Sequence, residues 1–416
     1  MLHSNLVNGF RKKDGTIFPD YNKYCLSNIP STITKILGGK TERPTIPVNN
    51  RTKKVVLLLF DGFGFDQWLQ FRHHPFVQKF SEAGDVYPIT AVFPSTTAAA
   101  LTSLNTGLTP QEHGLFEWYI YFKEVDMILS TLPFCSDFEP RRFEKLSPDP
   151  KILFNGQTFY QKLKRQGIKS YVFVQSGFTD GEYSKLLYKG AEIVPYYNFS
   201  DLLSGLKKKL EEPGRAYYYV YWHGIDTLSH IHGPDSESIS FEKLSLFTCL
   251  NVLIENIPDK IAKETTFIVT ADHGQIEVDP KKTLYLNRFK WFENSLKKSH
   301  VGRTIQPFGS VRDLFVHLKE DEIENVKEKI ENLGAKVLLT KDAIKKGYFG
   351  LNSPSKKFTE RVGDILILPD KNKTFWYKHV KGERFDLLGM HGGLTEKEMI
   401  IPFAVANLHE LKELLG

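Results

Sequence analysis

Residues 55–62 read VVLLLF-DG, and the way this octapeptide is understood decides how the rest of the chain is organised. Six apolar residues without alternation are the signature of a strand buried on both faces, and the Asp-Gly after them marks a turn. Four further runs share this character: VYPITAV at 86–92, SYVFVQ at 170–175, AYYYVYW at 216–222 and TFIVTA at 266–271. Between them lie stretches with helical spacing at 157–166, 199–211 and 237–257. The last carries Ile239, Leu246, Phe247, Leu250, Leu253, Ile254 and Ile257 three and four residues apart, which is core packing along one face. Strands alternating with helices predict a largely parallel sheet with helices on both sides. From about 281 to 385 the pattern changes. RDLFVHL (312–318), a charged helix at 321–333, AKVLL (335–339) and DILILP (364–369) predict a small α+β insertion. IIPFAVANL (400–408) then returns to core character, so residues 1–280 and 386–416 are expected to form one domain around the 281–385 subdomain.

The 416 residues are 41% apolar and 25% charged, ordinary globular composition that excludes wholesale disorder. A formal net charge of +6 suits small anionic substrates and is too weak to nominate a nucleic-acid duplex as partner. Three widely separated cysteines, with no CxxC, exclude a disulfide scaffold and a thiolate zinc site, and favour a reducing compartment. The N-terminus lacks an uninterrupted apolar stretch of the kind a secretory signal has, and no apolar run approaches the roughly 20 residues that span a bilayer. A soluble, cytoplasmic protein with no membrane contact is expected.

Polar clusters follow the apolar runs. Asp61-Gly62 comes after the first, Phe93-Pro94-Ser95-Thr96-Thr97 after the second, His223 to His230 after AYYYVYW, and Asp272-His273-Gly274 after TFIVTA. Gly389-Met390-His391-Gly392-Gly393 precedes the last core strand. Ligands bind beyond the carboxyl ends of strands in open α/β sheets, so these clusters should converge in one crevice. Aspartate oxygen and histidine nitrogen are ligands for zinc and are also accepted by manganese. Ser95, Thr96 and Thr97 stand before the helix-forming run AAALTSL. A hydroxyl there is either a helix cap or a nucleophile over helix-end N–H groups.

The segments LLLFDGFG, FPSTTAAALTSLNTGLTPQEHG, GIDTLSHIHGP, VTADHGQ and GMHGG, in this order, resemble the alkaline phosphatase superfamily, and within it the type I phosphodiesterase/nucleotide pyrophosphatase family. The resemblance covers roughly residues 50–280 and 386–408. It implies a three-layer α/β/α sandwich and two divalent ions, zinc or alternatively manganese. Asp226, His230 and His391 would hold one ion, and Asp61, Asp272 and His273 the other. Thr97 would be the nucleophile and a further metal contact, with Thr96 the near alternative. His113 would be scaffold; His223 and His232 would be neighbours without a ligand role.

The chain departs from the family pattern where an Asn usually follows the His-Gly turn: GLFEWYIYF places Trp118 and Tyr119 there, and these are the expected substrate contacts. The Tyr119 hydroxyl is one candidate for the missing hydrogen bond to a phosphoryl oxygen, and the Thr97 backbone N–H another. Phe93 and Phe122, with Trp118 and Tyr119, are candidates for stacking on a base and equally for the core, and Arg303 or Arg312 is a candidate for a distal phosphate. Ser229 replaces the Gly usual before the metal-binding His. The implied function is hydrolysis of a phosphodiester or pyrophosphate bond in a small nucleotide-like substrate through a phospho-threonine. Phosphonate or phosphomonoester hydrolysis is the alternative within enzymes, and a silent metal or nucleotide sensor the alternative outside them. Oligomeric state is open.

Overall fold

The computed structural model describes residues 2–154 and 156–415. Seven strands form the central sheet: β1 (Lys54–Phe60), β2 (Gly84–Thr90), β3 (Lys169–Gln175), β4 (Glu192–Tyr196), β5 (Ala216–Trp222), β6 (Thr265–Ala271) and β7 (Ile400–Asn407). Their spatial order is β2-β7-β6-β1-β5-β3-β4. From β6 to β4 all neighbours are parallel. Only β7 is reversed, antiparallel to both β2 and β6. The expected mostly parallel sheet is therefore present, and each expected core run lies within a residue or two of a strand. β1, β6 and the first five residues of β5 are buried throughout, as their unbroken hydrophobicity requires.

Register positions the site. β1 pairs with β6 from Lys54↔Thr265 to Phe60↔Ala271, and with β5 up to Phe60↔Trp222. The next residues, Asp61, Asp272 and His223, therefore leave the sheet side by side. Because β7 runs the other way, with Ile400 opposite Thr90, its entry loop lies at this same edge. That loop carries His391.

Helices cover both faces. Trp222 and Phe60 meet Phe199 on one face, and Phe60 meets Phe247 of the helix Glu237–Glu255. Tyr217, five residues before Trp222 and so on the opposite face of β5, packs on Phe159 and Tyr160 of the helix Phe159–Arg165. The sequence pattern did not show the edge strand β4, which is half-exposed and interrupted by Pro195. Nor did it show the hairpin Tyr119–Phe122/Met127–Ser130.

Within 281–385 an antiparallel four-stranded sheet is ordered Phe308–Gly309, Leu314–Val316, Ile365–Pro369, Ala335–Leu339, beside the helix Ile323–Asn332. It has its own apolar cluster, while Phe308, Phe315 and Phe358 join the main core. The pairing of Ile276–Glu277 with Gly389–Met390 brings together the points where the chain leaves and re-enters the main sheet.

Candidate active site

Asp61 is held by its backbone N–H, which donates to Trp222 O (2.9 Å), and by the Tyr221 hydroxyl, which donates to Asp61 Oδ2. Asp272 Oδ1 accepts from the N–H groups of Gly62 (3.0 Å) and His273 (2.9 Å). The remaining oxygens, Asp61 Oδ1 and Asp272 Oδ2, are buried and have no hydrogen-bond partner. Both face His273 Nε2, at 3.4 and 3.3 Å. The other ring nitrogen of His273 lies 3.0 Å from Gly274 O, which places the proton on Nδ1 and leaves Nε2 a lone pair.

The helix Gly224–His232, α2 in the site, carries Asp226 and His230 one turn apart, with Asp226 Oδ2 3.2 Å from His230 Nε2. His230 Nδ1 is 2.7 Å from Gly389 O. His391 Nε2 is 3.8 Å from Asp226 Oδ1, and the His391 ring stacks on His273 with centroids 3.6 Å apart. Gln275 also donates to Asp226 Oδ1. Among the described residues, two sets have ligand atoms mutually within 4.8 Å: Asp61, Asp272 and His273, and Asp226, His273 and His391. His230 adjoins the second set through Asp226.

All six residues implied as ligands thus lie in one crevice. Its electrostatics call for cations. Burial, then the charges of Asp272 and Asp226, raise the Asp61 carboxyl well above the usual range. Burial also pushes Asp226 upward, but His230, one helical turn away, outweighs it and holds that carboxyl low. Two orphaned carboxylate oxygens beside a histidine lone pair suit a divalent ion with nitrogen and oxygen ligands.

The three hydroxyls of the 95–97 segment separate cleanly. Thr97 opens the helix Thr97–Thr106, α1 in the site, and its Oγ1 lies 3.1 Å from His273 Nε2. Thr96 donates to Phe116 O (3.2 Å) and Ser95 to Gly393 O (2.9 Å). Thr96 occupies the N-cap position of α1 without capping it, so its side chain leaves the first N–H groups at that end uncovered.

Several expectations need correction. The Tyr119 hydroxyl donates to Asp137 (2.9 Å), an acceptor shared with Ser130, so it is already engaged within the hairpin region. Trp118 is 38% exposed and free to meet a ligand. Phe93 and Phe122 are fully buried core. Arg312, 1% exposed, grips Glu398 with two nitrogens at 3.0 and 3.1 Å, and Arg303 donates to Glu139 (2.6 Å), so neither guanidinium is unpaired for a phosphate. His223 binds Gln175 Oε1 (2.5 Å), His232 is exposed, and buried His113 binds Ser103 (3.1 Å). Beyond the expected residues, Glu117 and Asp313 form a buried acidic pair behind Gly392. Burial pushes the Glu117 carboxyl up to about 8 and, together with the Glu117 charge, raises Asp313 well above its usual range. Tyr221 and Gln275 stand beside expected ligands in the sequence, but only the folded chain shows what they hold.

A threonine at a helix end beside two carboxylate–histidine clusters, on an α/β sheet with one reversed strand, sets this chain in a class. The family model described as type I phosphodiesterase / nucleotide pyrophosphatase matches residues 55–394, and the chain belongs to that family. It is 23% identical over 270 residues to mouse ectonucleotide pyrophosphatase/phosphodiesterase family member 1, covering 62% of this chain but only 28% of that protein. Mouse ectonucleotide pyrophosphatase/phosphodiesterase 5, as an inactive variant in complex with AMP, superposes with a TM-score of 0.61 at 18% identity, covering 87% of this chain and 93% of that one. Phosphonoacetate hydrolase from Sinorhizobium meliloti 1021, in complex with phosphonoacetate, gives 0.63 at 16% identity, covering 89% and 98%.

Proposed function

We propose that this protein is a two-metal hydrolase that cleaves a phosphodiester or pyrophosphate bond of a small nucleotide-like substrate, with Thr97 as nucleophile. One observation carries the proposal: of three adjacent hydroxyls, Thr97 alone faces the corner formed by His273 Nε2 and the orphaned oxygens of Asp61 and Asp272. Asp61, Asp272 and His273 would hold one ion, and Asp226, His230 and His391 the other; the nitrogen–oxygen donor set suits zinc and also manganese. Bound there, the ions would supply Lewis acidity for the hydroxyl, the phosphoryl oxygens and water.

The chain supplies the rest. The uncovered N–H groups at the start of α1 face the phosphoryl oxygens, where the helix dipole favours negative charge. Thr97 Oγ1 gives up its proton to water and bonds to phosphorus as the bond to the leaving oxygen breaks, the leaving oxygen taking a proton from water where it needs one, which produces a phospho-threonine. Water attacking from the opposite face releases the phosphoryl group and restores the hydroxyl. Trp118 offers an exposed ring at the position of the family's Asn, suited to stacking on a base. The AMP complex of the mouse neighbour supports a nucleotide substrate, and the phosphonoacetate complex of the bacterial one keeps phosphonate hydrolysis as the second possibility. Three free cysteines accord with a reducing compartment, where we place the protein.

The test is a side-by-side assay of a nucleotidyl p-nitrophenyl ester, p-nitrophenyl phosphate and phosphonoacetate, with zinc or manganese added. Preference for the nucleotidyl ester is expected. Turnover of phosphonoacetate alone would replace the diesterase assignment, and two bound ions without turnover of any ester would favour a sensor.

A further inference from the structure

Ser95 looks in the sequence like a spare hydroxyl of the nucleophile segment. In the fold it is fully buried and bonded on every side to the loop that carries His391. Its Oγ donates to Gly393 O (2.9 Å) and accepts from Gly392 N (3.2 Å). Its carbonyl oxygen lies 3.0 Å from His391 Nδ1. Ser95 and Gly392 also pair as an isolated antiparallel bridge.

These contacts act on His391 in two ways. A carbonyl accepts only a donor, so Nδ1 carries the proton and Nε2 presents its lone pair toward Asp226. The hydroxyl pins the two residues that follow, and so sets where the ring stands. On the other side of the loop, Asp313 of the insertion packs against Gly392, whose φ of +122° and lack of room for a Cβ admit only glycine. The loop is held between Ser95 and the insertion, and Thr97 lies two residues along the same segment.

We propose that Ser95 is a positioning residue that couples the nucleophile segment to the His391 loop and keeps His391 Nε2 directed at the second metal position; the proposal rests on the two-ion reading of the site. Alanine could neither donate to Gly393 O nor accept from Gly392 N, and both groups would be left without partners in a buried place. The loop would then relax, and the ligand it carries would move. None of Asp61, Asp272 and His273 bonds to Ser95, and only His273 meets the moving loop, through the face of its ring stacked on His391 rather than through Nε2, so the ion they hold would keep its ligands.

The test is zinc titration of metal-free wild type, Ser95→Ala and Ser95→Thr by calorimetry against a competing chelator. Wild type should bind two equivalents. Ser95→Ala should keep the first at wild-type affinity and bind the second about 10–100-fold more weakly, the usual cost of losing a partner that orients a ligand. Its turnover should recover at high zinc. Ser95→Thr, which keeps the hydroxyl, should bind the second equivalent more tightly than Ser95→Ala. Wild-type affinity for both equivalents in Ser95→Ala, or equal weakening of both in Ser95→Ala and Ser95→Thr, overturns the positioning role. Fewer than two equivalents in wild type overturns the two-ion reading itself. A second measurement needs no variant to fold and no metal: the ¹⁵N spectrum of histidine side chains in metal-free wild type should show His391 protonated at Nδ1. A proton on Nε2 would overturn the proposal.

Discussion

Replacing Thr97 by alanine removes one hydroxyl and one methyl from a residue that is 9% exposed. For the fold the loss is small, about 1 kcal/mol for the single hydrogen bond to His273. For catalysis no neighbour can compensate, since Thr96 is bonded to Phe116 O and Ser95 to Gly393 O. Turnover of a nucleotidyl ester should therefore fall at least ~10³-fold, corresponding to about 4 kcal/mol of barrier at 1.4 kcal/mol per tenfold. The six expected ligands are unchanged, so zinc stoichiometry should stay at the wild-type value. Thr97→Ser should retain most of the rate, and Thr96→Ala far more than Thr97→Ala. The assay is steady-state release of p-nitrophenol at saturating zinc, paired with acid quenching of a labelled substrate to trap the Thr97 adduct. If Thr97→Ala turns over within about tenfold of wild type while its metals are retained, covalent catalysis at this residue is wrong.

Asp61→Asn should raise the melting temperature of the metal-free protein by a few degrees, because it relieves the crowding of Asp61 with Asp272 and Asp226, while lowering zinc content; scanning calorimetry in chelator and metal analysis check both, and a lower apo melting temperature would contradict it. Burial raises the Glu117 carboxyl from the ordinary 4.5 to about 8 in the folded protein. Its contribution to stability is therefore complete at low pH and falls as pH rises between those values, by at most about 1.4 kcal/mol per pH unit. Urea unfolding should show Glu117→Gln gaining on wild type from pH 5.5 to pH 8; a constant difference would mean that the carboxyl titrates normally. Arg312→Met strands Glu398 in the interior and should cost about 3–5 kcal/mol in denaturant midpoints, and Arg312→Met/Glu398→Gln should recover part of that loss.

Residues close in sequence carried much of this protein in their order alone. Unbroken runs such as VVLLLF and AYYYVYW mark buried strands because they are too short for a core helix, rich in β-branched or aromatic residues and free of alternation, and the Asp and His clusters after them fall at the carboxyl ends by chain direction. Local spacing also put Asp226 and His230 on one turn of helix. What local pattern could not decide were contacts between distant segments. Ser95 and Thr97 have the same chemistry and the same neighbours in the sequence, yet one faces His273 and the other Gly393, 298 positions further along. The engagement of Tyr119 with Asp137, of Arg312 with Glu398 and of Glu117 with Asp313 follows from the same cause. A side chain's partners in the interior are set by which loops the reversed strand β7 and the insertion bring alongside it, and buried polar groups take whichever partner that packing supplies.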